Sequence, residues 1–185
     1  GTSEYNQIVD IGFRIRDAIN VYYKTNGQED PTSNFQWEFI LVDDDQTKNA
    51  WCMPGGKIAF YSGILPIAKN EDGIASIMGH EIAHAVARHS AERASTAMLT
   101  DFGIMAVEKF VLGQRLPQAS GYVRQFGLDL PFNRKQETEA DYLGIIFSSL
   151  AGYNIEESYK VWERMKEEGG SGPAEFWSTH PSPDN

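Results

Sequence analysis

The sequence predicts an α+β fold, mainly helical with one small β-sheet, and three observations predict it. Apolar side chains recur at helical spacing at the start of the chain and through most of its later part. Strand-like runs are short and confined to the interval from Phe35 to Tyr61. The chain has 185 residues, 41% of them hydrophobic, enough for one core and too few for two. Residues 1–185 are therefore expected to form a single domain.

The first helix is expected from about Glu4 to Lys24, because Tyr5, Ile8, Ile11, Ile15 and Ile19 fall on one face. Asn26-Gly27 and Pro31 then mark irregular chain. Phe35 to Val42 reads as a strand, ended by Asp43-Asp44-Asp45. Trp51 to Met53 and Lys57 to Tyr61 read as two more, joined by the turn Pro54-Gly55-Gly56. Asn70 is a candidate helix cap, and Glu71 and Asp72 follow where negative charge suits the helix dipole. The helix it opens is expected to run well past His84, as far as Met98. Another is expected from Phe102 to Leu112, then an irregular stretch from Gly113 to Phe132. Two last helices are expected over Lys135 to Leu150 and Ile155 to Lys166, before a tail rich in Gly, Ser and Pro.

Sixteen basic against 26 acidic residues give a formal charge of -10. Such a surface repels polyanions, so neither nucleic acid nor anionic lipid is an expected partner. One cysteine, Cys52, rules out an internal disulfide and a cysteine-built metal site. The most apolar stretch, Ala97 to Gly113, is interrupted by Asp101, Glu108 and Lys109 and is too short to span a bilayer. No transmembrane segment is expected, while a removed targeting segment or lipid anchor stays open. Oligomeric state is not legible in the sequence.

The chemistry concentrates in His80-Glu81-Ile82-Ala83-His84. On a helix, His80 and His84 lie one turn apart on the same face, so both imidazoles can reach one ion. Glu81 is rotated by about 100° from His80, which sets its carboxylate beside the metal as a base for a water bound there. Zinc would lower that water's pKa and polarise a carbonyl, while Glu81 removes the proton. The opposing reading is that the two histidines merely cap or fill a core. Gly79 either clears a crowded place or sits in a loosely packed helix.

Catalytic zinc wants a third protein ligand. Glu137 and Asp141 share a helix face one turn apart, and Glu139 points away from them. Glu137 could ligate zinc while Asp141 accepts the free ring N–H of a ligating histidine. The same residues also fit an ordinary acidic helix surface. His89, five residues past His84, falls off the ligand face and is expected to be structural or solvent-facing. Arg88 is expected either under the site or at the surface. His180, in Trp177-Ser178-Thr179-His180-Pro181, lies in the irregular tail, where a side chain could fold back over a cleft.

Four ordered stretches carry a resemblance to a known family. They are Asn49 to Gly63, the run GHEIAHAVARHSAER from Gly79 to Arg93, Glu137 to Gly144 with Ala151-Gly152-Tyr153, and Ser178 to Pro181. The chain resembles the gluzincin peptidases of metallopeptidase family forty-eight, which include HtpX and the Ste-type CAAX prenyl proteases. Within it the chain is most similar to small periplasmic and lipoprotein bacterial members. The resemblance implies a zincin-like peptidase catalytic domain with one Zn²⁺ per chain, held by His80, His84 and Glu137. It makes Glu81 the general base, Asp141 the carboxylate behind a ligand, and His180 a catalytic residue near the oxyanion or a cap on the zinc. It further implies that Gly56, Lys57, Ile58, Ala59, Phe60, Tyr61 and Ser62 form the edge strand beside the cleft, pairing with an extended substrate.

Two departures stand out. An arginine that commonly follows the His-Pro pair does not appear before Asn185, and the intramembrane helices of the larger members have no counterpart. Soluble or misfolded envelope proteins are thus expected as substrates of a zinc endopeptidase in the periplasm or at the outer membrane. The alternative is a gated or inactive zinc-containing binding or chaperone-like module whose cleft His180 closes. A zinc-free structural protein is the third reading.

Overall fold

The structure is a computed structural model and describes residues 2–92, Ser95 and 130–168. Helix α1 spans Ser3–Thr25, capped by the Thr2 hydroxyl, which accepts from the Tyr5 N–H at 3.2 Å. Ile8, Ile11, Ile15 and Ile19 are fully buried, as their spacing predicts. Three strands follow, β1 (Glu38–Val42), β2 (Ala50–Met53) and β3 (Lys57–Tyr61). A 3-10 turn, Ser62–Ile64, and the short helix α2 (Leu65–Ala68) lead to α3 (Glu71–Val86). Beyond lie α4 (Leu130–Leu150) and α5 (Glu156–Glu168). The result is mainly helical with one three-stranded sheet, the α+β class read from the sequence.

The first strand is shorter than its hydrophobic run. Ladder pairing starts at Glu38, while the Phe35 and Trp37 rings pack against each other at a tilt of 52° ahead of it, their centroids 5.4 Å apart. The β2–β3 turn takes glycines for a steric reason: Gly55 and Gly56 hold φ of 93° and 86°, a region L side chains rarely enter. The cap of α3 forms as expected, with the Asn70 side chain accepting from the Gly73 N–H at 2.9 Å.

The strand order β1-β3-β2 corrects one expectation. β3, the core of the Gly56–Ser62 segment, is the central strand, parallel to β1 and antiparallel to β2. Its main-chain groups are engaged on both sides, so it has no free edge for a substrate. The edge strand packed against α3 is β2. The Tyr61 N–H donates to the Asn49 carbonyl at 3.1 Å, and Ala50 lies opposite Phe60. Antiparallel alternation then turns the backbone of Trp51 toward β3 and that of Ala50 and Cys52 toward the outer side, which is open among the described residues. Hydrophobic alternation could not distinguish the two strands, because it reports which face is buried and not which neighbour is missing.

Every residue of α3 from Gly73 to Val86 is buried, so this helix is the axis of the domain. It packs against α1, α4, α5 and β2. Polar ties fix the crossings: the Ser148 hydroxyl donates to the Ala75 carbonyl at 2.9 Å, and Ser76 bonds Ser158 at 2.8 Å. α3 ends at Val86, well short of Met98, and Arg88 takes φ 58° before the chain turns helical again at His89. A non-glycine residue held left-handed costs roughly 1–3 kcal/mol, so surrounding contacts must hold this break. α4 starts ahead of the expected Lys135, with Pro131 tolerated in its first turn. The expected helix from Phe102 to Leu112, and the tail with His180, lie outside the described residues.

Candidate metal centre

The fully buried α3 brings His80, Glu81 and His84 into the interior, at 3%, 3% and 5% exposure. α4 lies across it and delivers Glu137, also buried. The crossing is close because both helices carry a glycine there. A Cβ on Gly79 would stand 2.8 Å from the Gly144 carbonyl oxygen and 2.6 Å from the Ser148 hydroxyl. A Cβ on Gly144 would stand 2.8 Å from the His80 nitrogen. Of the two readings of Gly79, crowding is correct.

Three donor atoms converge there. His80 Nε2 and His84 Nε2 are 3.1 Å apart. Glu137 Oε2 lies 3.3 Å from His80 Nε2, and its Oε1 lies 3.4 Å from His84 Nε2. Ligands at about 2.0–2.1 Å in a tetrahedron stand roughly 3.3 Å from one another. The separations match, so this donor set fits zinc in chemistry and in size. Among the described residues these three are the grouping that could hold a metal ion.

Each histidine is held from behind. His80 Nδ1 pairs with Asp141 Oδ1 at 2.9 Å, the partner expected one helix turn past Glu137. The Trp162 ring, from α5, meets the His80 ring edge-on with centroids 5.2 Å apart. Burial opposes a charge on His80 more than any other influence. Hydrogen bonds to Asp141 and Glu137, with the charges of Glu81 and Asp141, outweigh it and lift the imidazole to about 10. Glu81 is also felt by Cys52 on β2, whose thiol is pushed up first by burial and then by that carboxylate.

His84 is held by a residue the helical reading sent elsewhere. His89 is 1% exposed, and its Nδ1 lies 2.8 Å from His84 Nδ1. Its Nε2 reaches Glu139 Oε2 at 3.5 Å. The break at Arg88 returns His89 to the site, whereas an unbroken helix would have turned it away. The sequence signal for such a break is weak, since no glycine or proline stands there. Glu139 does point away from the three donors, with its side chain 53% exposed.

Comparison with known proteins agrees with this arrangement. The profile of peptidase family M48 matches residues 14–185. The mitochondrial metalloendopeptidase OMA1 of Schizosaccharomyces pombe is 44% identical over 153 residues, which are 81% of this chain and 44% of that protein. OMA1 of Homo sapiens is 30% identical over 165 residues, 83% of this chain and 31% of the relative. The β-barrel assembly-enhancing protease of Escherichia coli is 29% identical over 163 residues, 80% of this chain and 32% of the relative. The chain thus spans less than half the length of each of these relatives. They are neither HtpX nor Ste-type proteases, so the family resemblance holds while its finer placement among lipoprotein members does not follow from them. With a match over nearly its whole length, and with two histidines and a glutamate grouped where they could hold a metal ion, the chain belongs to peptidase family M48.

Proposed function

We propose that the chain is the catalytic domain of a zinc endopeptidase that hydrolyses peptide bonds in extended or misfolded protein segments. The observation that carries this reading is the convergence of His80 Nε2, His84 Nε2 and Glu137 at 3.1–3.4 Å, with buried Glu81 on the same helix. Bound there, zinc would polarise the scissile carbonyl and acidify a water. Glu81 would serve as the proton carrier, taking a proton from the attacking water on its carboxylate and giving it to the leaving amine. Asp141 holds the His80 ring in the tautomer that leaves Nε2 for the metal.

The open edge of β2 is the proposed substrate cradle in place of Gly56–Ser62. A peptide laid against it would pair with the Cys52 N–H and C=O, next to Glu81. His180 is proposed from the family resemblance to donate to the developing oxyanion, and a fall in kcat with unchanged zinc affinity in His180→Ala tests that role. Substrates in the bacterial envelope are supported by the likeness to a protease named for β-barrel assembly. Among the described residues no helix is long and apolar enough to cross a membrane. The deciding experiment pairs elemental analysis with cleavage of an unfolded protein such as casein. One zinc per chain and turnover abolished in Glu81→Gln would support the reading. A protein without zinc, or activity indifferent to Glu81, would overturn it.

A further inference from the structure

We infer that His89 is a positioning residue for the metal centre: through the contact of His89 Nδ1 with His84 Nδ1 it fixes the tautomer and orientation of His84, with Glu139 as the outer partner. This rests on the reading of His84 as a zinc ligand. The argument is one of protons. Two imidazole nitrogens 2.8 Å apart are at hydrogen-bond distance, and one must donate while the other accepts. A His84 that gives its Nε2 lone pair to zinc carries its proton on Nδ1, so it is the donor. His89 must then present a bare Nδ1 and carry its own proton on Nε2. That nitrogen faces Glu139 Oε2 at 3.5 Å, an acceptor that favours this tautomer.

The surroundings keep His89 in place. It is buried, its ring meets the His84 ring edge-on at 4.9 Å between centroids, and its own carbonyl accepts from Gln136 Nε2 at 3.5 Å. Gln136 also donates to Glu92 at 3.0 Å. The left-handed residue Arg88 sets the turn that makes the contact. The two histidine ligands are therefore held by different chemistry, His80 by a carboxylate directly and His84 by a neutral imidazole with a more distant carboxylate behind it.

The test measures Zn²⁺ affinity of the full chain by competition with a chromophoric chelator. His89→Phe keeps a ring and removes the acceptor, while His89→Asn sets an amide oxygen close to the position of Nδ1. Removing such a support typically weakens metal binding about 10- to 100-fold. That loss is expected for His89→Phe, and His89→Asn should recover most of it. Unchanged affinity in His89→Phe, or equal losses in both variants, would overturn the inference. Should His89→Phe fail to fold, ring ¹⁵N–¹H correlations of the zinc-loaded wild type decide the matter. Protons on His84 Nδ1 and His89 Nε2 are expected, and a proton on His89 Nδ1 would overturn it. His84→Ala separates the two levels. If that variant binds zinc as wild type does, the metal centre itself fails and the inference with it; if it loses zinc while His89→Phe does not, only the inference fails.

Discussion

Gly79 of α3 and Gly144 of α4 meet backbone to backbone, and a Cβ on Gly144 would stand 2.8 Å from the main-chain nitrogen of His80. Helices that close have no slack, so the spacing between the histidines and Glu137 is set by the absence of two side chains. Gly144→Ala should force the helices apart, costing about 1–3 kcal/mol by overpacking, and should also weaken zinc binding. Denaturant unfolding and chelator competition on the same variant check both effects. Loss of stability alone, with zinc affinity intact, would show that the donor atoms do not depend on this crossing.

Glu137→Ala should lose most of the bound zinc, whereas Glu139→Ala should lose far less. Glu137 stands 3.3 Å and 3.4 Å from the two imidazole nitrogens, while Glu139 reaches neither His80 nor His84 in any described contact and meets His89 at 3.5 Å from an exposed position. Metal content of the two variants under matched conditions gives the answer. Equal occupancy would remove Glu137 from the ligand set.

Glu81→Gln should keep the fold and the zinc and lose roughly 10²–10⁴-fold in turnover, the usual worth of a positioned acid–base group. Glutamine preserves the shape of this buried side chain and cannot take a proton. Activity within threefold of wild type would assign the base to another residue.

The β2 edge makes its own prediction. The Cys52 N–H lies outside the β2–β3 ladder, so a proline there removes a donor from the open edge while sparing the sheet. Cys52→Pro should raise KM for a peptide several-fold, with zinc content unchanged. An unaltered KM would mean that substrates do not pair with β2.

A pH dependence follows from His80. Its pKa in the metal-free fold is lifted to about 10 from an ordinary 6.5. A raised folded-state value gives stability that is complete below the unfolded pKa and is lost as pH climbs to the folded one. Metal-stripped protein should therefore lose stability between pH 6.5 and about 10. Zinc-loaded protein should not follow it, because a ligating imidazole has already given up the proton. Melting temperatures with and without a chelator at pH 6 and pH 9 measure the widening gap. A gap that narrows with pH would contradict the protonation of His80 in the stripped site.

Much of this molecule was legible in one dimension. The isoleucines of α1, the Asn70 cap and the His80–His84 pair are local patterns, readable because helical geometry relates residues three or four apart whatever surrounds them. Glu137 and Asp141 were legible as a pair of carboxylates on one face, and the family resemblance joined them to the histidines. Tertiary structure alone decided three matters. It made β3 the central strand and β2 the edge, because hydrogen-bond neighbours come from chain topology and leave no mark in hydrophobic alternation. It brought Trp162 against His80 through the packing of α5 on α3. And it ended α3 at Val86, placing buried His89 against His84, because the left-handed turn at exposed Arg88 answers to no conformational preference of arginine and so leaves no local mark in the sequence.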